Sequence, residues 1–319
     1  MIVASKRYLA YIGVGVVVVC VCAYFVFVRT PASFPQGLLY EVPRGTPLSA
    51  VASGLSARHI IRSEFAFKVL VTFFGMGRGA VAGDYEFESR ENGVSVAYRI
   101  ARGEYGLSRI RLTVPEGLRS DQIANLFDDR FYRFDQMMFR KLGNMYEGYL
   151  FPDTYYFLPN VTAEEVVDAM TANYRSQVEE YKDEIRRSGR SIRDIIIMAS
   201  ILEEEANTEE SRRIVAGILW KRIAQRMPLQ VDATFAFVNG KTRSSDLTLD
   251  DLQIDSPYNT YVYRGLPPGP ISNPGIAAIL DTIRPVDTPY YFYLSEDDGT
   301  MHYARTHDEH VANKFKYLK

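Results

Sequence analysis

Cysteine is nearly missing from this 319-residue chain: it occurs twice, as Cys20 and Cys22, both inside one apolar run near the N-terminus. The remainder therefore forms no disulfide, offers no thiolate chemistry and must owe its stability to its core. Zinc ligation by cysteine is excluded there, and His59, His302, His307 and His310 show no spacing that suggests a histidine metal site. No metal or cofactor is expected. Long basic runs are also absent, and 37 Lys and Arg against 39 Asp and Glu leave a formal charge of −2. That balance argues against nucleic acid as the partner.

Charge is missing altogether from Tyr8 to Val28, 21 residues rich in valine and aromatics. This is about the length needed to cross the hydrocarbon core of a bilayer. A cleaved signal peptide has a shorter apolar region and a small-residue cleavage site, which this stretch lacks. Lys6, Arg7 and the amino terminus outweigh Arg29, so a short N-terminal tail is expected in the cytoplasm and the large remainder outside.

What is present is 47% hydrophobic and 24% charged, the composition of an ordinary folded protein long enough for two or three domains. Pro31, Pro35 and Gly37 mark a linker. After it, Leu38 to Val42 reads as a strand, Thr46-Pro47 as a helix cap, Ser63-Glu64 as the start of a helix through Phe74, and Gly83 to Phe87 as a returning strand. Asn92-Gly93 precedes a short helix over 94–102. Val42-Pro43-Arg44-Gly45 is echoed by Val114-Pro115-Glu116-Gly117, each a strand running through a Pro-x-Gly turn into an amphipathic helix. One recurrence does not make a repeat architecture.

The stretch from Ser191 to Glu205 organises the second half. Ser191 with Asp194 reads as a helix cap, and apolar residues then occupy every side of the helical wheel, so this helix is expected to be buried. It runs into Glu203, Glu204 and Glu205, whose side chains point about 100° apart. A second helix is expected at once, opened by Asn207 and Glu210. Acids at such a junction are either a solvated helix end or carboxyls leaning on Met198, Ile201 and Leu202, where lost hydration raises proton affinity. The second case suits a general acid working near neutrality.

Residues 161–186 read as one helix. The aromatic-rich stretch Glu147 to Phe157 fits either a sugar-stacking surface or a core strand. Gly265 to Gly275 reads as a rigid shaped loop in which Asn273 serves the turn. Tyr290 to Leu294 and Met301 to Thr306 form a hairpin across Asp297-Asp298-Gly299, and Glu309-His310 opens a last helix. The fold class is α+β.

Taken together and in order, Glu147 to Tyr155, Ala199 to Ala206, Leu229 to Thr234, Tyr258 to Tyr261, Gly265 to Gly275 and His302 to His310 resemble the bacterial endolytic murein transglycosylases, the YceG-like family. The resemblance implies a tail and membrane helix over 1–30, a LysM-like domain over 31–107 and a catalytic domain over 108–319, exported from a single-pass anchor in the cytoplasmic membrane. It implies cleavage of the MurNAc–GlcNAc β-1,4 bond of peptidoglycan glycan strands to leave a 1,6-anhydro-MurNAc end, and partners among cell-wall synthases. In the family's Glu-x-Glu motif the second acid is catalytic, which is Glu205 here; Glu203 matches the first and is the secondary candidate. The middle residue is commonly basic in relatives and is Glu204 in this chain. Substrate contacts are implied for Glu147, Gln230, Asp232, Tyr258, Asn259 and His310. Two rivals stand beside this reading: a glycan-binding anchor without catalysis, and a water-using muramidase with Glu203 or Asp232 as second acid.

Overall fold

Most helices here begin where a side chain takes up free backbone N–H groups, so the sequence pattern of caps sets much of the layout. The computed structural model describes residues 14, 15, 17, 18, 21, 22, 24–241, 246–296 and 298–318. It is a mixed α+β chain with three antiparallel two-stranded sheets among those residues. The chain divides into two compact units, Met1–Ser108 and Arg109–Lys319. Among the described residues no helix is long and apolar enough to cross a membrane; much of the expected 8–28 span lies outside them, and Tyr24–Val28 forms a π-helical turn.

In the first unit, β1 (Leu38–Val42) pairs with β2 (Gly83–Phe87), Tyr40 opposite Tyr85. Between them run α1 (Leu48–Ala57) and α2 (Glu64–Phe74), and α3 (Gly93–Arg102) follows. The Ser63 hydroxyl accepts from the Ala66 N–H, and the Asn92 side chain from Val94 and Ser95, which is the work of N-cap residues. Gly103, at φ +72, ends α3 in the left-handed region. Leu55, Phe67, Val71, Phe87 and Ile100 close the core.

The second unit begins with β3 (Ile110–Thr113), whose chain passes into α4 (Ser120–Ala124) and α5 (Gln136–Met145) and returns as β4 (Thr154–Phe157), antiparallel to β3. The aromatic stretch before and within β4 is largely core: Leu150 and Phe157 pack with Phe127 and Phe139, while Tyr156 is exposed. The expected single helix over 161–186 is two, α6 (Ala163–Glu179) and α7 (Lys182–Arg187). Tyr181 leaves helical geometry at φ −106, ψ 9 and packs with Ile185 and Ile195.

Next come α8 (Ile192–Glu205) and α9 (Glu209–Ala224). The Ser191 hydroxyl caps α8 by accepting from the Asp194 N–H, and every residue from Ile195 to Leu202 is buried. The cap of α9 is Thr208, exchanging hydrogen bonds with Ser211, rather than Asn207 with Glu210. The chain then forms a 3-10 turn at Asp232–Thr234, the short α10 (Phe235–Val238), and α11 (Ile276–Ile283) beyond the Pro- and Gly-rich loop. That loop is tied down from α8: the buried Ser200 hydroxyl accepts from the Ile271 N–H at 3.0 Å. Arg212 and Asp281 form a largely buried ion pair joining α9 to α11.

The last elements are the hairpin β5 (Phe292–Ser295) and β6 (Met301–Ala304), with Leu294 opposite His302, and α12 (His307–Tyr317). Asp297 of the expected turn lies outside the described residues. The final helix starts two residues before Glu309, because Thr306 supplies its cap.

Candidate active site

The three carboxylates ending α8 diverge as the helical rise requires. Glu203 turns towards α11, where its Oε2 accepts from the Gly275 N–H at 2.9 Å. Burial raises its proton affinity, and the charges of Glu116 and Asp281 add to this. Glu204, beside Gly117, keeps part of its surface in solvent; the part that is covered and then the Glu203 charge push it upwards, while Ser272 and Arg119 oppose.

Glu205 turns the other way, to the start of the 3-10 turn. Its Oε1 accepts from the Ala233 N–H at 3.3 Å. Burial, then the negative charge of Asp232, push its carboxyl up to about 7, against the opposing donors Tyr293 and Ala233. The Tyr293 hydroxyl is buried beside this carboxyl, where it acts as a donor that favours the ionised form. Asp232 is itself held by the Tyr261 hydroxyl at 2.5 Å.

Glu204, Glu205 and Asp232 line a cleft of about 310 Å³. The β3–α4 connection, Glu116 to Arg119, lines it too with Gln122, and Ala233, Ala236, Ile271 and Ser295 make up the rest. That connection bends at Gly117, φ +79, where a Cβ would stand 2.8 Å from a Glu204 oxygen. A side chain there is disfavoured by the backbone angle and would push the Glu204 carboxylate aside. Beneath the cleft, buried Arg222 donates to the carbonyls of Leu229 and Tyr291, fastening the two strands of chain that carry Asp232 and Tyr293.

Of the residues singled out in the sequence, the cleft gathers Glu205 and Asp232, with Glu203 turned away to Gly275. The others are engaged elsewhere. Glu147 is buried, accepting from Ser120 and from Asn273 Nδ2 at 2.7 Å, so its oxygens serve the fold. Asn259 is also buried; its amide donates to the carbonyls of Leu252 and Ile254 and its oxygen accepts from the Tyr261 N–H. Tyr258 stacks on Phe237 at 4.5 Å, outside the cleft wall. Gln230 has a positive φ of 50° and an exposed side chain that does not line the cleft. His310 packs on Phe292, with Nδ1 buried and unpartnered, and burial lowers its pKa to about 4, so it is neutral at physiological pH. His302 binds Glu296 at 2.6 Å. Among the described residues no group of three or more His, Cys, Asp or Glu is arranged to hold a metal ion.

Sequence reasoning passed over Glu116, Arg119, Gln122, Arg222 and Tyr293. The echoed Pro-x-Gly turn was the one available signal for the first three; nothing local marks a buried arginine or a buried tyrosine hydroxyl.

Known proteins resemble this chain over most of its length. The YceG-like family model matches residues 40–316. A protein of Bacillus subtilis named endolytic murein transglycosylase is 32% identical over 305 residues, covering 87% of this chain and 84% of that protein. One of the same name from Streptococcus pneumoniae is 32% identical over 178 residues, 54% of this chain but 32% of that longer protein. The crystal structure of a YceG-like protein from Listeria monocytogenes superposes with a TM-score of 0.55 at 28% identity, over 87% of this chain and 99% of that one. With a family model spanning most of its length and a relative matched nearly end to end, the chain belongs to the YceG-like family.

Proposed function

We propose that this protein is an endolytic lytic transglycosylase of peptidoglycan, cutting the MurNAc–GlcNAc β-1,4 bond within glycan strands. The observation that carries this reading is the placement of Glu205: a carboxyl in the cleft lining, beside Asp232 and partly shielded from water, with burial and that neighbouring charge pushing its pKa up to about 7. Such a group protonates a leaving oxygen at neutral pH. The chemistry then balances with one acid. Glu205 gives its proton to the glycosidic oxygen as the C1–O bond breaks. The resulting carboxylate takes the proton of the sugar's own C6 hydroxyl, and O6 closes on C1 to form the anhydro ring. Asp232 supplies the negative charge that holds the proton on Glu205 and, once the bond breaks, offsets positive charge on the sugar. Relatives named for the same activity support the substrate class.

The remaining elements fit this setting. The 8–28 run anchors the protein in the cytoplasmic membrane with its short tail inside. Residues 31–107 act as a LysM-like glycan-binding unit, and the Arg109–Lys319 unit works outside the membrane, where wall synthases supply new strands.

Incubation of the protein with purified glycan strands, followed by mass spectrometry of the ends, tests the reading. Anhydro-MurNAc ends are expected, with Glu205→Gln reducing their release by at least about 10²-fold. Because Asp232 shares the cleft, a water-using muramidase is the second reading. Its ends are reducing and one water heavier. Unchanged strand length leaves a binding protein only.

A further inference from the structure

Helix α2 is apolar on two faces and buries one. Phe67 and Val71 point into the core of the first unit. On the other side Phe65, Val69 and Phe73, one turn apart in succession, are 73%, 53% and 76% exposed, and Met76 beyond the helix end is 79% exposed. Phe65, Val69 and Phe73 line a shallow groove with Lys68 and Thr72. Helix α3 extends this surface: Tyr98 is 40% exposed and its ring meets Phe74 at 5.4 Å. Single exposed apolar side chains are ordinary, but a continuous face of this kind marks an interaction surface.

The route of the chain indicates what covers it. The apolar N-terminal run ends at Val28, whose carbonyl oxygen lies 3.2 Å from where a Cβ on Gly93 would stand, against the first turn of α3. Arg90 then clamps the following carbonyls of Pro31 and Ala32 at 2.9 and 3.2 Å. Helix α3 packs side by side with α2, and neighbouring helices lie about 8–10 Å apart. The exposed face therefore belongs to the helix packed beside the one that the end of the apolar run touches. Its charged surroundings are mainly basic: Arg62, Lys68 and Arg78 against Glu64. Bulky apolar side chains flanked by Lys and Arg are the make-up of a helix lying in a membrane interface over anionic lipid.

We propose that the outer face of α2, with Tyr98 of α3, rests in the interfacial layer of the bilayer that the N-terminal run enters. The first unit is then held on the lipid surface instead of swinging on a tether. The inference rests on the membrane anchoring proposed above, and one experiment separates the two. The full chain is reconstituted into phosphatidylethanolamine–phosphatidylglycerol vesicles as Phe65→Trp, Phe73→Trp and, as a control in the other unit, Phe315→Trp, each compared with the parent, whose single tryptophan is Trp220. Carbonate-resistant flotation reports anchoring. With bromine-labelled acyl chains, the emission added at positions 65 and 73 is expected to shift to the blue and be quenched, while that added at 315 is unaffected. Flotation without quenching at 65 and 73 overturns the docking and leaves the anchor standing. Failure to float with the vesicles overturns both. A photocrosslinker at position 69 that captures a second copy or another protein in place of lipid overturns the docking as well.

Discussion

The Tyr261 hydroxyl donates a 2.5 Å hydrogen bond to Asp232, and so fixes a negative charge on the cleft wall next to Glu205. That charge is the second cause, after burial, of the proton affinity of Glu205. The buried Tyr293 hydroxyl works in the opposite sense, as a donor that favours the carboxylate.

Two substitutions should therefore move the pH profile in opposite directions. A general acid must carry its proton, so kcat/KM falls as pH rises through the Glu205 pKa of about 7. Asp232→Asn keeps an oxygen for Tyr261 but removes the charge, so the alkaline limb moves down, by about one pH unit. Tyr293→Phe removes the opposing donor, so the limb moves up. Both lose activity at the optimum. A purely structural role for either residue predicts lower activity with the limb unmoved.

The same carboxyl makes stability depend on pH. In the unfolded chain Glu205 titrates near 4.5, in the folded protein near 7. Between these values the folded state binds the extra proton, so its stability declines as pH rises and the contribution is gone above the folded pKa. The ionised side chain then costs up to about 3 kcal/mol. Glu205→Gln, neutral throughout, should match the parent in thermal unfolding at pH 4 and exceed it by several degrees at pH 8. Equal Tm values at pH 8 would mean that the carboxyl is not desolvated.

How far the site could be read in advance follows from the range of the interactions involved. Local ones were legible: the caps at Ser63, Asn92 and Ser191, the extents of β1 and β2, and a buried helix ending in acids all follow from neighbours a few residues apart. The break at Tyr181 and the choice of Thr208 over Asn207 were not, because core packing and a reciprocal partner decided them. Asn259 and Glu147 look, in sequence, like polar groups available to a ligand. Glu147 is taken up by Ser120 and by Asn273, 126 residues away, which no local pattern displays, and Asn259 by carbonyls 5 and 7 residues back, which only the folded path of the chain brings to its amide. Arg222 and Tyr293 escaped notice for the same reason.

The echoed turns allow a controlled comparison. Gly45 and Gly117 both sit at φ +79, but a Cβ on Gly45 meets nothing within 4 Å, whereas one on Gly117 meets Glu204 at 2.8 Å. Alanine at either position should cost about 1 kcal/mol from the left-handed backbone alone. The displaced Glu204 carboxylate is the end of a flexible side chain and yields cheaply, so the stability costs should be similar. Activity should fall only in Gly117→Ala, where that movement reshapes the cleft. Chemical denaturation and rates of strand cleavage on the two variants check both halves.

Asn273 gives the last test. Buried in the shaped loop, its Oδ1 accepts from the N–H groups of Gly148 and Leu150 at 2.8 and 2.9 Å, and its Nδ2 donates to the Leu118 carbonyl at 2.9 Å and to Glu147 at 2.7 Å. One side chain thus joins the segment before β4 to the cleft wall at Leu118. Asn273→Ala leaves two buried N–H groups unpaired and a buried carboxyl one donor short, and each such loss costs about 1–3 kcal/mol. A total of about 3–5 kcal/mol is expected, read as a lower urea midpoint at unchanged slope. The cleft wall also loses its tether, so cleavage should fall even at temperatures where the variant remains folded. A midpoint within about 1 kcal/mol of the parent would show that water replaces these bonds and that the loop is held by Ser200 and its prolines instead.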